Sequence, residues 1–238
     1  MLPSVVLDIE GTISPTSFVT DRLYPYSVAR LPAWIAAHRD EPETGRALDQ
    51  VRQAIGEPAA GEERILARLL DWLAADQKAT PLKTLQGLIW SRGYADGDLV
   101  APFFPDTIPA LRAWKEAGYR LLVYSSGSVP AQRAWFAHSS EGDVSELISA
   151  NYDTENAGPK REAGSYRAIA ADIGARPADI VFLSDVTAEL DAAQEAGWHT
   201  VGVRRPGEKQ YAAGVGGHLE AASLAVLDLS GDAPAIRR

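Results

Sequence analysis

Two acidic residues, Asp8 and Glu10, stand one residue apart at the end of a short apolar run near the start of the chain. If the backbone stays extended there, alternate side chains point to the same side, so both carboxylates face one space. Adjacent carboxylates are costly unless a proton or a cation neutralises them. Mg²⁺ would do so, because it is a hard ion that prefers oxygen ligands.

This pair predicts phosphoryl chemistry. Asp8 is interpreted as a nucleophile that attacks phosphorus and forms an aspartyl-phosphate. Glu10 would protonate the leaving oxygen and then deprotonate the attacking water. For this stretch alone, an ordinary strand-end turn or a helix cap remains the alternative.

A pair of serines, Ser125 and Ser126, follows a second apolar run. Hydroxyl and backbone N–H groups at a junction between a strand and a helix suit phosphate oxygens. The alternative is that one of these serines only caps the next helix.

Three further charged residues could complete such a site. Lys160 follows a Gly-Pro pair and would supply the local positive charge that a phosphate site needs. Asp185 ends another apolar run and is the natural third carboxylate for Mg²⁺, while Glu189 could support the site from behind. The alternatives are a solvated lysine, an N-cap aspartate and a glutamate that only favours the helix dipole.

Composition limits the classes of function. The chain has 238 residues, a net charge of −9 and no cysteine, which argues against a broad nucleic-acid surface and excludes thiolate chemistry. No apolar run is long enough to span a bilayer, and the first strand leaves no room for a signal peptide, so a cytoplasmic protein is expected. The histidines lack metal-ligand spacing and are interpreted as structural: His38, His138, His199 and His218.

Strands and helices alternate over most of the chain, which predicts a parallel sheet with right-handed crossovers. Strands are predicted at residues 5–7, 119–124, 146–149, 180–183 and 199–203. Four helices are predicted between them. The first starts near residue 105 and stops at Gly118, and the others span 129–137, 162–173 and 187–196.

A block with helical periodicity interrupts this pattern directly after the first strand, and no strand is predicted between residues 14 and 100. Its helices are predicted at 46–55, 62–75 and 81–91, with breaks near Pro25 and Pro32. We therefore predict an α/β catalytic core of residues 1–15 and 100–238 and a helical cap of residues 16–99. A lid at that point would sit above the strand ends and exclude water.

The motifs around Asp8, Ser125, Lys160 and Asp185 occur in the order found in the haloacid dehalogenase superfamily, which the chain resembles over residues 5–187. The resemblance implies an α/β fold with a Rossmann-like parallel-sheet core of the haloacid dehalogenase type. It also implies that the inserted all-helical domain is a cap of the first type.

Glu10 narrows the resemblance, because most phosphatases of this superfamily carry Asp there. The chain is similar to the enolase-phosphatase branch that serves methionine salvage. The similar segments are 8–12, 124–128, 158–162 and 183–187, with shorter pieces at 17–19, 85–87, Trp90, 142–143 and 205–207.

The resemblance implies one Mg²⁺ per chain, held by Asp8, Glu10 and Asp185, and substrate contacts from Ser125, Ser126 and Lys160. It implies a small phosphoester substrate, 2,3-diketo-5-methylthiopentyl-1-phosphate, which is enolised and then dephosphorylated by a monomer.

Three residues of the helical block are candidates for reading the methylthio end of that substrate, with plain helix packing as the alternative: Lys83, Gln86 and Trp90. Other readings of the chain stay open. They are a phosphatase for a sugar phosphate or phosphoserine, a metal-free dehalogenase, a receiver-type phospho-accepting module and a pure binding protein.

Overall fold

The computed structural model describes residues 4–75, 77 and 79–237. The chain forms two compact units. One consists of the chain up to Phe18 together with the chain from Val100 onward, and the other is Val19–Leu99. Within the described ranges, no helix combines the length and apolar character needed to cross a membrane.

The first unit is built on a parallel sheet. Its strands are β1 (Ser4–Leu7), β2 (Arg120–Tyr124), β3 (Ala150–Tyr152), β4 (Ile180–Ser184), β5 (His199–Val203) and β6 (Leu219–Ala221). They lie in the order β3-β2-β1-β4-β5-β6, and every neighbouring pair is parallel. Both faces of the central strands are covered, which explains their unbroken apolar runs. The predicted α/β parallel-sheet fold is confirmed.

The helices follow in chain order. They are α1 (Thr16–Phe18), α2 (Tyr24–His38), α3 (Pro42–Ile55), α4 (Glu62–Ala74), α5 (Thr80–Ala95), α6 (Thr107–Glu116), α7 (Val129–Ala137), α8 (Ala163–Asp172) and α9 (Thr187–Glu195). A π-helical turn, Val19–Leu23, joins α1 to α2. Gly174, with φ of +64°, ends the α8 region as predicted, since glycine adopts left-handed backbone angles without strain.

The predicted strand at 146–149 is wrong. Ser145–Leu147 forms a 3₁₀ turn, and the strand begins three residues later than Leu147, at Ala150. The turn begins where the Asp143 carboxylate accepts a hydrogen bond from the Ser145 N–H at 2.9 Å. Three further strands were not predicted, because they are too brief to show a period: β6 and the antiparallel pair β7 (Leu227–Asp228) and β8 (Ala235–Ile236).

The second unit is helical and has its own apolar core, drawn from α2 to α5. The predicted break near Pro32 is wrong, because α2 continues through it. Proline removes the hydrogen bond to the carbonyl four residues earlier, that of Val28. Val28 is 36% exposed, so this helix face lies toward water, where a lost bond costs least. Pro25 lies in the first turn, where proline is tolerated.

Two details of the helical block also differ from the prediction. The apolar spacing of residues 62–75 predicts that Leu70 shares the buried face of α4, but Leu70 is 36% exposed and Trp72 is buried instead. The helix predicted at 81–91 runs on to Ala95, past Gly93. A Cβ at Gly93 would lie 2.6 Å from the Tyr26 hydroxyl, so this glycine permits close packing instead of ending the helix.

Candidate active site

The strand order brings two acids to one place. Asp8 directly follows β1, and its backbone N–H donates to the Leu183 carbonyl at 2.9 Å, which extends the ladder between β1 and β4. The strands β2 and β3 lie on one side of β1, and β5 and β6 lie on the other side of β4. The junction between β1 and β4 is therefore the topological switch point of the sheet. Ligands of open α/β sheets bind at the carboxyl ends of the strands at that point. Asp185 follows β4 at the same edge.

Lys160 is buried between two carboxylates. Its Nζ lies 2.6 Å from Asp8 Oδ1 and 2.6 Å from Glu189 Oε2. The lysine is only 5% exposed, so the alternative of a solvated surface residue is wrong. Burial by itself would lower the pKa of Lys160, but the charges and hydrogen bonds of Asp8 and Glu189 outweigh it and raise the pKa above its usual value. The ammonium therefore stays charged.

Glu189 supports this cluster from the first turn of α9. Its Oε2 also accepts a hydrogen bond from the Ser184 hydroxyl at 3.0 Å, and that hydroxyl lies 3.5 Å from Asp8 Oδ2. Burial raises the pKa of Glu189, while the neighbouring Lys160 acts in the opposite direction. Glu189 thus binds Lys160 directly, a contact more specific than the helix-dipole alternative.

Asp185 is a buried acid with one unpaired carboxylate oxygen among the described residues. It is 7% exposed, and its Oδ1 has no hydrogen-bond partner among the residues that the structure describes. Its side chain packs against Gly11, where a Cβ would lie 2.1 Å from Asp185 Oδ2. The N-cap alternative for Asp185 is wrong, because Val186 holds that position and no side chain caps α9. Burial, followed by the charges of Asp8 and Glu189, raises the pKa of Asp185 to about 8.

The serine loop lies at the end of β2. Ser125 is buried and its N–H donates to the Tyr152 carbonyl at 3.1 Å, whereas Ser126 is exposed. Neither serine caps α7. Instead, the Asp153 carboxylate accepts a hydrogen bond from the Val129 N–H at 2.9 Å.

Sequence reasoning missed Gln132, which holds this loop. It is 1% exposed, and its amide nitrogen donates to the carbonyls of Gly127 and Tyr152, each at 2.8 Å. A lone amide on an otherwise apolar helix face is the signal that could have identified it, because buried polar groups need partners.

Arg205 was also missed as a site residue, although the 205–207 segment carried part of the resemblance. Its guanidinium binds both oxygens of Asp106 at 2.9 Å, and its Nε donates to the Thr12 carbonyl at 3.0 Å. Burial would raise the pKa of Asp106, but hydrogen bonds from Arg205 and Ser223 lower it. The pair of buried Arg205 and half-buried Asp106 therefore fastens the turn that carries Glu10, itself half-buried.

The three cap candidates belong to the helical unit. The Gln86 amide contacts the Ser27 hydroxyl at 3.5 Å, and the Trp90 indole N–H donates to the Leu23 carbonyl at 2.8 Å. Trp90 also stacks on Tyr24 at 6.3 Å between ring centroids. These contacts favour helix packing for Gln86 and Trp90, whereas Lys83 is half-buried on α5.

Within residues 4–75, 77 and 79–237, no group of three or more His, Cys, Asp or Glu side chains is arranged to hold a metal. Mg²⁺ does not need such a cage, because it keeps several waters and binds through one or two carboxylates and substrate phosphate. The unpaired Oδ1 of Asp185, buried beside Asp8, fits a cation of this kind.

This burial predicts a pH dependence. A folded-state pKa of about 8 for Asp185 exceeds the unfolded value of about 4, so folding favours the protonated form. Its stabilising contribution is fully present below pH ~4 and is lost as the pH rises through about 8. In EDTA, the free energy of unfolding measured with urea should therefore fall from pH 5.5 to 8.5 more steeply for the wild type than for Asp185→Asn. If the free energy of unfolding fell equally steeply with pH in both proteins, the raised pKa could not belong to Asp185.

Comparison with known proteins agrees with this geometry. A family model described as haloacid dehalogenase-like hydrolase matches residues 3–197. The crystal structure of the UTR4 protein from Saccharomyces cerevisiae has a TM-score of 0.79 and 31% identity, covering 94% of this chain and 98% of that one. CbbY from Rhodobacter sphaeroides, in complex with phosphate, shares the fold at a TM-score of 0.59 and 18% identity, covering 94% of this chain and 96% of that one. The chain belongs to the haloacid dehalogenase-like hydrolases.

Curated relatives narrow the class. Enolase-phosphatase E1 of Streptomyces avermitilis is 59% identical, covering 94% of this chain and 93% of its own. Enolase-phosphatase E1 of Saccharopolyspora erythraea is 53% identical over 94% and 95% of the two chains, and that of Pseudomonas syringae is 47% identical over 95% and 97%. Within its class, the chain belongs to the enolase-phosphatase E1 family.

Proposed function

We propose that the protein converts 2,3-diketo-5-methylthiopentyl-1-phosphate to acireductone (1,2-dihydroxy-3-keto-5-methylthiopentene) and phosphate in L-methionine salvage. The observation that carries the proposal is the buried ammonium of Lys160, which lies 2.6 Å from the carboxylate of Asp8. A carboxylate oriented in this way at the switch point of the sheet is placed to act as a nucleophile on an anionic ester.

Asp8 carries out the phosphoryl transfer. Lys160 holds its Oδ1, which leaves Oδ2 to form the bond to phosphorus while the bond from phosphorus to the ester oxygen breaks. Glu10 donates a proton to that leaving oxygen and then takes one from the water that hydrolyses the aspartyl-phosphate. Phosphate departs and the Asp8 carboxylate is restored. Ser125 and Ser126 hold the other phosphate oxygens, and Lys160 offsets their negative charge.

A bound Mg²⁺ fits the same site, held by Asp8, Glu10 and Asp185. It would offset the charge of the phosphoryl oxygens and polarise a substrate carbonyl. The fit rests on the buried, unpaired Oδ1 of Asp185 and on the raised pKa of that carboxyl, which a cation would lower again.

Glu10 is proposed to act in the enolisation step as well. It is one methylene longer than aspartate, so its carboxylate can reach a C–H proton beside the ester oxygen. In Glu10→Gln, exchange of the C1 hydrogen with deuterated water should fall strongly, because an amide cannot accept the proton. NMR of the substrate during turnover measures this exchange. Undiminished exchange in the variant would assign the step to another residue.

The decisive experiment is anaerobic turnover of the diketo phosphoester by the purified protein, with Mg²⁺ and with EDTA. Acireductone and phosphate should form in equal amounts, and only with the metal. Sugar phosphates and phosphoserine, assayed in parallel for phosphate release, test the nearest alternative activity. Phosphate that stays on Asp8 for minutes would instead favour a receiver-type module.

The remaining assignments extend this proposal. Residues 16–99 serve as the cap, and Lys83, Gln86 and Trp90 remain the candidates for substrate choice. We also propose a monomeric cytoplasmic enzyme with no nucleic-acid or membrane partner. Light scattering coupled to gel filtration tests the monomer, and a raised KM in Lys83→Ala would support the role of that cap residue.

A further inference from the structure

The turn that carries Lys160 is held by hydroxyl groups. Each of three consecutive backbone carbonyls, at residues 158–160, accepts a hydrogen bond from a different side-chain hydroxyl. The pairs are Tyr124 with Gly158 at 2.7 Å, Ser165 with Pro159 at 2.8 Å and Tyr166 with Lys160 at 2.7 Å. We call Tyr124, Ser165 and Tyr166 the hydroxyl clamp.

The hydroxyl clamp is a rigid part of the core. Tyr124 and Tyr166 are both 0% exposed, and their rings make an edge contact with centroids 5.4 Å apart. Tyr124 ends β2, whereas Ser165 and Tyr166 lie in the first turn of α8. The Lys160 turn is therefore fixed to both a strand and a helix.

The same tyrosine that holds the turn also faces its charged end. Lys160 Nζ lies 5.8 Å from the centroid of the Tyr124 ring, within the range of a cation–π contact. The hydroxyl of that ring meanwhile binds the backbone two residues earlier. Tyr124 therefore contacts both the start of the turn, at Gly158, and the ammonium of Lys160.

Gly158 shows how closely the turn fits the clamp. Its φ is +109°, and a Cβ there would lie 2.6 Å from the Ser165 hydroxyl oxygen. Only glycine allows both the backbone angle and the close approach of that hydroxyl. The Gly-Pro-Lys sequence is therefore matched to a hydroxyl supplied from α8.

We propose that Tyr124, Ser165 and Tyr166 are positioning residues that hold the Lys160 ammonium between Asp8 and Glu189. This inference rests on the proposed function for its effect on turnover. Loss of the Tyr124 or Tyr166 hydroxyl removes the bond to the Gly158 or Lys160 carbonyl, so the turn shifts to find another partner. Loss of the Ser165 hydroxyl leaves the Pro159 carbonyl with only the Glu162 N–H, at 3.1 Å, which loosens the same turn. The two 2.6 Å contacts of Lys160 then loosen, and Asp8 loses its orientation.

The first test compares Tyr166→Phe and Ser165→Ala with a matched control. Tyr119→Phe also removes a buried tyrosine hydroxyl that donates to a backbone carbonyl, that of Leu229, but it does not touch the Lys160 turn. We expect kcat to fall about three- to tenfold in the two clamp variants, as loss of one hydrogen bond implies, with KM changed less than about twofold. The control should keep kcat, and Ser165→Thr, which retains a hydroxyl, should restore it.

The second test does not require activity. In urea unfolding, Tyr166→Phe and Lys160→Met should show non-additive effects, because the hydroxyl acts on the residue that the second change removes. Tyr119→Phe and Lys160→Met should add.

The clamp is overturned if Tyr166→Phe and Lys160→Met have additive effects on the free energy of unfolding, as the control pair should. It is also overturned if Tyr166→Phe and Tyr119→Phe have equal kcat. An inactive wild type would reject the proposed function while the unfolding cycle still decides the clamp.

Discussion

Asp8→Asn should lower kcat for phosphate release by about 10⁴-fold or more, because an amide cannot form the aspartyl-phosphate and the two-step route is lost. The fold should persist, since Lys160 keeps its 2.6 Å contact with Glu189 after the change. Steady-state phosphate release from the diketo phosphoester measures the loss, and urea unfolding checks the fold.

Asp228, a half-buried acid on β7, provides the control for this variant. The side chain of Asp228 accepts hydrogen bonds from the N–H and the hydroxyl of Ser230. Asp228→Asn should therefore keep kcat within about twofold. If Asp8→Asn retained more than about one hundredth of the wild-type kcat, another group would have to be the nucleophile. A pure binding protein would also lose nothing in this variant.

Lys160→Met should give the largest loss of stability. The change leaves Asp8 and Glu189 buried without their shared cation, and breaking a buried ion pair in this way costs about 3–5 kcal/mol. Phosphate release should fall as well, since the nucleophile loses its orientation. Urea unfolding in EDTA measures the first effect, because added Mg²⁺ could compensate part of the lost charge.

Two companion variants make this prediction specific. Arg176→Met breaks the pair with Asp179, in which the arginine side chain is 82% exposed, and should leave the free energy of unfolding nearly unchanged. Adding Glu189→Gln to Lys160→Met removes one of the two stranded charges, so stability should recover in part while activity does not. A double variant as unstable as Lys160→Met alone would mean that charge burial is not the cause.

Much of the fold was readable from local patterns. The apolar runs before Asp8 and Asp185 predict buried strands, and parallel strands bring their carboxyl ends to one edge. The helix that ends near Gly174 is marked by a glycine that takes left-handed backbone angles. Such features depend on a few neighbouring residues, which is why sequence reasoning finds them.

The errors in the predicted element bounds have identifiable physical causes. Pro32 does not break α2, because the affected helix face is exposed. The helix predicted at 81–91 runs on to Ala95, and Gly93 within it packs against Tyr26. The strand at β3 begins later than expected, since the preceding segment forms a 3₁₀ turn before it joins β2. Solvent exposure and side-chain packing decided the two helix outcomes, and periodicity along the sequence does not report either.

By itself, the sequence determined the parallel α/β core and which residues could do phosphoryl chemistry, because strand ends and residue types are local properties. Only the tertiary structure decided that Lys160 is buried between Asp8 and Glu189 and that Arg205 holds the carbonyl of Thr12, 193 positions away. It also decided that hydroxyls from β2 and α8 bind the Lys160 turn. Burial and long-range hydrogen bonds are set by which surfaces meet, and no spacing in the sequence records that.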